Sequence, residues 1–260
     1  MASKNLHSFR VTNPGKGDAS HADQSDPATS AIAVFLEYLS GGPADEPLAS
    51  VLGPQRAARF HWECALLALA KALRIRKTEV FVFFSPEDKR TEIESLVMSK
   101  FGRFEGRFLA REGGNLREQI HSAFKLLRAM KFSRTFYLNA ISPTLPQEYI
   151  EQAVVALDKT DYVLGASWKG ECYLIGSRDA SLRVFDQNMG ASGLEIASVY
   201  EGLAGLGLSC TLLPRWHDVN TPDDLPFLEG HVRRADFQRL RAILEEQRDD
   251  LRQTFKQETS

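Results

Sequence analysis

From Ala31 onward, short apolar runs alternate with longer segments in which apolar residues recur every three or four positions. The runs are AIAVFLEYL (31–39), EVFVFF (79–84), RFLA (107–110), TFYLN (135–139), YVLGAS (162–167), CYLIG (172–176) and CTLLP (210–214). Their β-branched and aromatic content predicts strands. Between them the spacing predicts helices. Pro54 suits the first turn of one that reaches about Arg74, and Pro86 opens another through about Lys100. Leu116, Ile120, Phe124 and Leu127 form one apolar helical face. Pro146 starts a helix through about Leu157, and a further helix covers about Gly193–Leu206. Several runs are continuously apolar, which places both faces of their strands in a core. The expected architecture is α/β: a Rossmann-like, mainly parallel sheet with helices on both faces. Val34, Phe35, Val82, Phe83, Phe136, Leu138, Val163 and Leu164 should lie in its core. In such sheets a ligand crevice forms at the carboxyl ends of the strands.

The two ends of the chain read differently. Residues 1–30 are rich in Ser, Asp, Gly, Pro and Ala, bury too little to offset ordering entropy, and are expected to form a disordered tail. Residues 31–230 carry the α/β pattern. Residues 231–260 form a charged amphipathic helix, with Phe237, Leu240, Leu244, Leu251 and Phe255 at helical spacing. That helix either lies across the domain's own surface or offers a protein partner or second copy a docking face. Its arginines are interleaved with acids, which disfavours nucleic acid.

Charge and composition narrow the function classes. With 32 basic and 34 acidic residues the net charge is -2, so no global basic field recruits nucleic acid or an anionic membrane. No apolar run is long enough to span a bilayer and the polar N-terminus lacks a secretion pattern, so a cytoplasmic location is expected. Cys64, Cys172 and Cys210 are far apart and have no CxxC partner, which argues against a zinc site or disulfide framework. Small apolar residues in or near the core is the simpler reading.

Three stretches then matter together: SPTLP (142–146) after a strand, GASWKGECYLIG (165–176), and DVNTPDDL (218–225). Over roughly residues 32–229 their order resembles a bacterial family of glycosyltransferase-A-like proteins, related to nucleotide-sugar and nucleotidyl transferases. The resemblance implies a site for a nucleoside triphosphate or nucleotide-sugar with a divalent metal. Residue by residue, much of that chemistry is replaced. Where the family has a Lys-Thr-Arg-Leu loop, this chain has Asp45-Glu46-Pro47-Leu48, whose carboxylates repel phosphate. The family's Gly-Asp-Leu-Gly-Glu-Arg becomes Gly114-Asn115-Leu116-Arg117-Glu118-Gln119, leaving Arg117 as a substitute cation. Its Gly-Ser-Asp-x-Pro-x-Leu-Pro, whose Asp is the expected metal ligand, becomes Asn139-Ala140-Ile141-Ser142-Pro143-Thr144-Leu145-Pro146. Isoleucine offers no oxygen to Mg²⁺. Its Asp-Gly-Gly-Tyr-Tyr becomes Lys169-Gly170-Glu171-Cys172-Tyr173, and Asp-Val-Asp-Thr becomes Asp218-Val219-Asn220-Thr221.

Residues that shape the fold are kept, whereas those that handle metal and phosphate have mostly changed. The expected protein is therefore a catalytically impaired binding or regulatory relative, with no cofactor. The alternative is an active nucleotide-sugar or nucleotidyl transferase with a rearranged site, using Mg²⁺ or Mn²⁺ if any metal. Its candidate ligand- and phosphate-binding residues are Lys169, Arg117, Asn139, Asp218 and Asn220. Asp223 and Asp224 suit the first turn of a helix opened by Thr221 and Pro222. His217 beside Trp216 suits packing or surface. Ile141 is expected to pack against neighbouring loops and fill the space of a hydrated ion.

Overall fold

A computed structural model of the chain describes residues 30–39, 47–178, 182–186, 194–232 and 235–258, with backbone alone at 186, 235 and 250–258. The expected tail therefore lies outside the described residues, except for Ser30, which opens the first strand. Seven strands form one sheet: β1 (Ser30–Glu37), β2 (Thr78–Ser85), β3 (Arg107–Ala110), β4 (Arg134–Leu138), β5 (Tyr162–Ser167), β6 (Cys172–Arg178) and β7 (Cys210–Trp216). Their order is β3-β2-β1-β4-β6-β5-β7. All pairings are parallel except those of β6, which runs against both β4 and β5. This is a mainly parallel Rossmann-like α/β sheet.

The helices are α1 (Ala49–Leu52), α2 (Pro54–Ala72), α3 (Arg90–Phe101), α4 (Leu116–Ala129), α5 (Gln147–Ala156), α6 (Ile196–Gly205), α7 (Leu225–His231) and α8 (Gln238–Glu258). Because successive side chains of a strand point to opposite faces, each strand feeds two cores. Ile32, Val34, Val82, Phe136 and Leu138 pack with Leu69, Ile93, Val97 and Ile150 on one face. Phe35, Phe81, Phe83 and Tyr137 pack with Ile120, Phe124, Leu127, Val199 and Leu203 on the other. All eight residues expected in the core are buried.

One glycine is forced by packing. A Cβ on Gly165 would sit 2.3 Å from the Tyr173 ring, which crosses over β5 so that its hydroxyl donates to the Pro214 carbonyl at 2.8 Å. Tyr173 thereby ties β6 to β7 across the strand between them.

A third cluster sets the role of the C-terminal helix. Phe237, Leu240, Ile243 and Leu244 are buried with Leu48, Leu52, Phe60, Leu67, Leu225 and Leu228. Arg239 pairs with Glu63 at 3.2 Å, Arg59 with Glu246 at 2.9 Å, and Arg248 with Glu229. The first half of α8 is thus laid across the domain's own surface. The segment expected as one helix from residue 231 is divided instead: α7 ends at His231 and α8 begins at Gln238. The side chains of Leu251 and Phe255 lie outside the described residues.

Candidate functional site at the strand carboxyl ends

The crevice is built by the loops that leave β4, β5 and β7 at their carboxyl ends. After β4 the Asn139 N–H donates to the Tyr173 carbonyl at 2.9 Å, extending the ladder by one bond. Its side chain then turns back, and Oδ1 accepts the Ile141 N–H at 3.1 Å. Such an Asx turn is the local geometry that Asn favours. The Ile141 carbonyl accepts the Val219 N–H at 2.9 Å, so this loop grips the loop after β7. Trp216 Nε1 adds a second link to Thr144 Oγ1 at 3.2 Å. Ile141 itself is half-buried rather than packed away. The expected packing of Ile141 against neighbouring loops is therefore partial: the loop is held by its backbone, and full burial falls on Ser142 and Leu145 beyond it.

From behind, α2 clamps the same loop. Lys71 Nζ donates to the Pro143 carbonyl at 2.5 Å, and Gln147 Nε2 donates to the Lys71 carbonyl at 3.4 Å. Burial lowers the Lys71 ammonium pKa to about 8, despite opposing contributions from Cys64 and Asp236.

The opposite wall comes from β7. Asp218 is 4% exposed, and Val219 beside it is inserted into the cluster under α8. Asn220 Nδ2 donates to Asp218 Oδ2 at 3.1 Å and to Glu171 Oε2 at 3.2 Å. Two carboxylates therefore share one amide. Partial burial of Glu171, and then the Asp218 charge beside it, raise the Glu171 carboxyl pKa above its ordinary value. Reading the loop for its cation at Lys169 overlooked this acid two residues on. The available signal was its place in the β5–β6 connection, at the carboxyl end of the sheet.

Lys169 does not stand as an open phosphate ligand. Its Nζ donates to Asp224 Oδ2 at 2.6 Å and to Thr221 Oγ1 at 3.0 Å. The same Asp224 oxygen accepts the N–H groups of Asn220 and Thr221 at 3.0 and 2.9 Å, completing a capping box with Thr221. Burial pushes the Asp224 carboxyl up, but Lys169 and these N–H donors outweigh it and hold the pKa below the ordinary value. Asp223 and Asp224 occupy the short 3-10 turn Pro222–Asp224 that leads into α7, as a first-turn reading expects.

Arg117 is drawn elsewhere: its Nη1 donates to the Phe185 carbonyl at 2.5 Å, in the short turn Leu182–Asp186. The departures around it make a sound helix start. Asn115 caps α4 by accepting the Glu118 N–H at 3.0 Å, and Glu118 Oε2 accepts the Gly114 N–H at 2.9 Å. Asp45 and Glu46 lie outside the described residues. Arg111, which the motifs did not single out, pairs with Glu37 at 3.2 Å beside the carboxyl ends of β3 and β1. Of the five sequence candidates, Lys169, Asp218 and Asn220 converge, Asn139 reaches them through Ile141 and Val219, and Arg117 is held by another element.

Aromatic groups finish the rim. The His217 ring stacks on Phe227 with centroids 3.3 Å apart, and Phe227 stacks on His231 at 4.1 Å. Desolvation, and then the neighbouring His231, lower the His217 pKa. Cys64 and Cys172 are buried and Cys210 is half-buried; burial pushes the thiols of Cys172 and Cys210 up to about 12, the state of unreactive core cysteines. Among the described residues no helix is long and apolar enough to cross a membrane.

This order of strands, with one reversed strand and a crevice at its carboxyl ends, is the fold of nucleotide-sugar and nucleotidyl transferases. A proposed nucleotide-diphospho-sugar transferase from Desulfovibrio desulfuricans G20 superposes with a TM-score of 0.75 at 22% identity, covering 85% of this chain and 98% of that one. The 4-diphosphocytidyl-2C-methyl-D-erythritol synthase of Anaerococcus prevotii DSM 20548 gives a TM-score of 0.52 at 11% identity, over 79% of this chain and 97% of that one. A cytidylyltransferase from Leptospira borgpetersenii serovar Hardjo-bovis gives 0.52 at 10% identity, over 86% and 95%. Residues 68–189 match DUF2064, described as an uncharacterized protein conserved in bacteria. No curated protein matches the sequence.

Proposed function

We propose that this chain keeps the crevice of nucleotide-sugar and nucleotidyl transferases as a binding site and has lost metal-dependent transfer, acting as a binding or regulatory protein. The observation that carries the reading is the end of β4. There the Ile141 carbonyl is committed to Val219 and the Asn139 side chain to Ile141, so no carboxylate enters the crevice from this strand. On the far wall Glu171 and Asp218 both accept from the Asn220 side-chain amide, and Asp224 is taken up by Lys169 and the capping box. Among the described residues no group of three acid, imidazole or thiol side chains gathers to hold a metal ion. Mg²⁺ keeps several waters and takes one or two carboxylates with substrate phosphates, so Asp218 and Glu171, already occupied by the Asn220 amide and facing Ile141 instead of a third acid, make a weak set for such an ion. Lys169 is neutralised by Asp224 and does not replace the missing ion as a phosphate clamp.

A thermal-shift series with CTP, UTP and UDP-glucose, with and without Mn²⁺, tests the reading. A ligand of the native state raises the melting temperature by mass action, by about 2.7 kcal/mol of stability at one hundred times Kd. The expected outcome is a shift that Mn²⁺ does not change, with no release of nucleotide or pyrophosphate. Mn²⁺-dependent turnover by the purified chain overturns it.

One feature favours a second reading, an active transferase with a rearranged site. Glu171 beside Asp218 has the raised proton affinity of a general acid or base. Metal-independent turnover of UDP-glucose that disappears in Glu171→Gln would establish that reading instead.

A further inference from the structure

The two ends of the sheet carry opposite charge. At the carboxyl ends of the strands, residues 37–39, 86–89, 111–115, 139–146, 168–171 and 217–224 hold eight acids and three Lys or Arg. At the amino ends, with the far end of the reversed β6, residues 73–79, 102–107, 130–134, 157–162, 177–178 and 206–210 hold nine Lys or Arg and four acids. Those four acids are already engaged. Arg107 pairs with Glu79 at 2.9 Å, Arg103 with Glu105 at 3.9 Å and Arg134 with Asp158 at 2.6 Å, and the Ser209 hydroxyl donates to Asp161 at 2.6 Å. Arg74, Arg76, Lys77, Lys131 and Lys159 are exposed and have no ion pair among the described residues. Arg134 and Arg178 stand directly opposite each other on β4 and β6, where like charges repel. Lys77, with a φ of 55°, and Lys131, with a φ of 75°, are the only non-glycine residues of positive φ among the described residues. Lys131 follows α4 where the Phe132 N–H returns to the Leu127 carbonyl at 3.2 Å, a helix stop that ordinarily takes glycine. Glycine adopts such backbone freely and lysine does not, so what lysine contributes at these two positions is its charge.

Where the chain enters this face decides what covers it. Ser30 opens β1 in register with Thr78 of β2 and Arg134 of β4, so residues 1–29, which lie outside the described residues, join the domain between the two lysines. Their charge is segregated. Residues 1–16 carry Lys4, Arg10 and Lys16 and no acid, whereas residues 17–29 carry Asp18, Asp23 and Asp26 and no Lys or Arg. An extended chain spans up to about 14 Å from Ser30 to Asp26 and about 24 Å to Asp23. Neighbouring strands are only about 5 Å apart, so both carboxylates can reach the amino ends of β2 and β4. We propose that the acidic stretch 17–29 of this chain docks on its own basic face, over Lys77 and Lys131 at the amino ends of β2 and β4. Exposed ion pairs are individually weak, but the tether at Ser30 holds the carboxylates at high effective concentration beside the cations. The acidic crevice end repels the same stretch. The proposal stands apart from any reading of the crevice.

Two measurements on the full chain test it. A water-soluble carbodiimide joins a carboxylate to a lysine amine in contact with it, and the monomer is then analysed by mass spectrometry. Links from Asp23 or Asp26 to Lys77 or Lys131 are expected at about 20 mM NaCl and should fall about fivefold at about 0.5 M, where the Debye length shrinks to about 4 Å. The variant Arg74→Glu/Arg76→Glu keeps the tether and both lysines and should lose most of these links. Heparin, as a polyanion probe, then reports whether the face is covered. Asp18→Asn/Asp23→Asn/Asp26→Asn should bind heparin about tenfold more tightly than wild type, and adding Arg74→Glu/Arg76→Glu should remove that gain. Links that ignore both salt and Arg74→Glu/Arg76→Glu overturn the proposal, because the tether alone would then explain them. Equal heparin affinity of the triple variant and wild type also overturns it. Links confined to a covalent dimer overturn it in favour of a second copy whose acidic stretch covers this face.

Discussion

The loops after β4 and β7 lie side by side at the carboxyl end of the sheet and hold each other through the bond from Val219 to Ile141. They differ in what their polar groups are used for. After β4, every placed side-chain bond is internal or structural: Asn139 closes its own turn, Thr144 accepts from Trp216, and Ser142 Oγ is buried with no partner among the described residues. After β7, Asp218, Asn220 and Asp224 form a connected polar network that reaches Glu171 and Lys169. A backbone path can thus be kept while its chemistry is exchanged, because prolines and main-chain bonds fix the path and side chains fix the chemistry. The asymmetry also says where function remains to be sought, on the β5–β7 side.

The largest break in this comparison is expected from Asp224→Ala. One carboxylate oxygen accepts two backbone N–H groups, the Thr221 hydroxyl and the Lys169 ammonium. Removing it uncaps the turn before α7 and strands Lys169, at a cost of about 3 kcal/mol. Urea denaturation with an unchanged m-value would measure it. A loss as small as that of a surface substitution would show that the β7 loop is held by Val219 in the apolar cluster and not by its polar network.

The corresponding support on the β4 side titrates. Lys71 has its pKa lowered by burial from 10.5 to about 8. Between those values the unfolded chain keeps the proton and the folded chain has lost it, so folding releases a proton and stability rises with pH. Below pH 8 the full desolvation cost is present; above about 10.5 it is gone. Wild-type stability measured relative to Lys71→Met should therefore rise by about 3 kcal/mol across that window. Taking the difference cancels the tyrosines and cysteines, which titrate in the same range. A flat difference would mean that Lys71 stays hydrated and does not clamp Pro143.

A smaller effect is expected at Ile141, because the side chain is only half-buried. Ile141→Ala should cost about 1 kcal/mol, less than a core truncation. Ile141→Asp places a third carboxylate toward the acid pair. Weak Mn²⁺ binding by calorimetry is the expected gain, without turnover, since Lys169 remains bonded to Asp224. Turnover in that single variant would show that the metal ligand was all that was missing.

Much of the sheet was legible because each strand is a compact apolar run bounded by Pro, Gly or polar residues. YVLGAS and RFLA coincide with β5 and β3 from end to end. The Thr221-Pro222 start was legible too, since a cap and a first-turn proline act through neighbours in sequence. The site was less so. Glu171 gains its character from Asp218 and Asn220, nearly fifty positions away, and Lys169 loses its availability to Asp224 over a similar separation. Lys71 was invisible for the same reason: in sequence it is one more lysine near a helix end, and only folding places it against Pro143. The apolar stripe of α8 left open whether the helix packs on its own domain or on a partner, and gave no sign of its place in one cluster with Val219 of the site loop.

The smallest effect is expected at Glu171, and it bears most directly on the acid pair. Partial burial and the Asp218 charge raise the Glu171 pKa, so the folded chain holds this proton more tightly than the unfolded chain. Near and below the ordinary carboxylate pKa, protonation relieves the repulsion; as pH rises through the folded pKa, the charged pair must be held together and stability falls. Glu171→Gln removes the charge and keeps an oxygen for the Asn220 amide, while its own amide can donate to Asp218. The variant should be slightly more stable than wild type at pH 7 and indistinguishable from it near pH 4, by thermal melts at the two pH values. Glu171 lies at the exposed rim, where water screens the repulsion, so the gain should be smaller than any loss described above. An equal or lower melting temperature at pH 7 would mean that the two carboxylates do not repel, and that Asn220 or solvent already separates them. The β7 side would then hold no stored charge tension, and the active-transferase reading, which draws on the raised proton affinity of Glu171, would lose its physical basis.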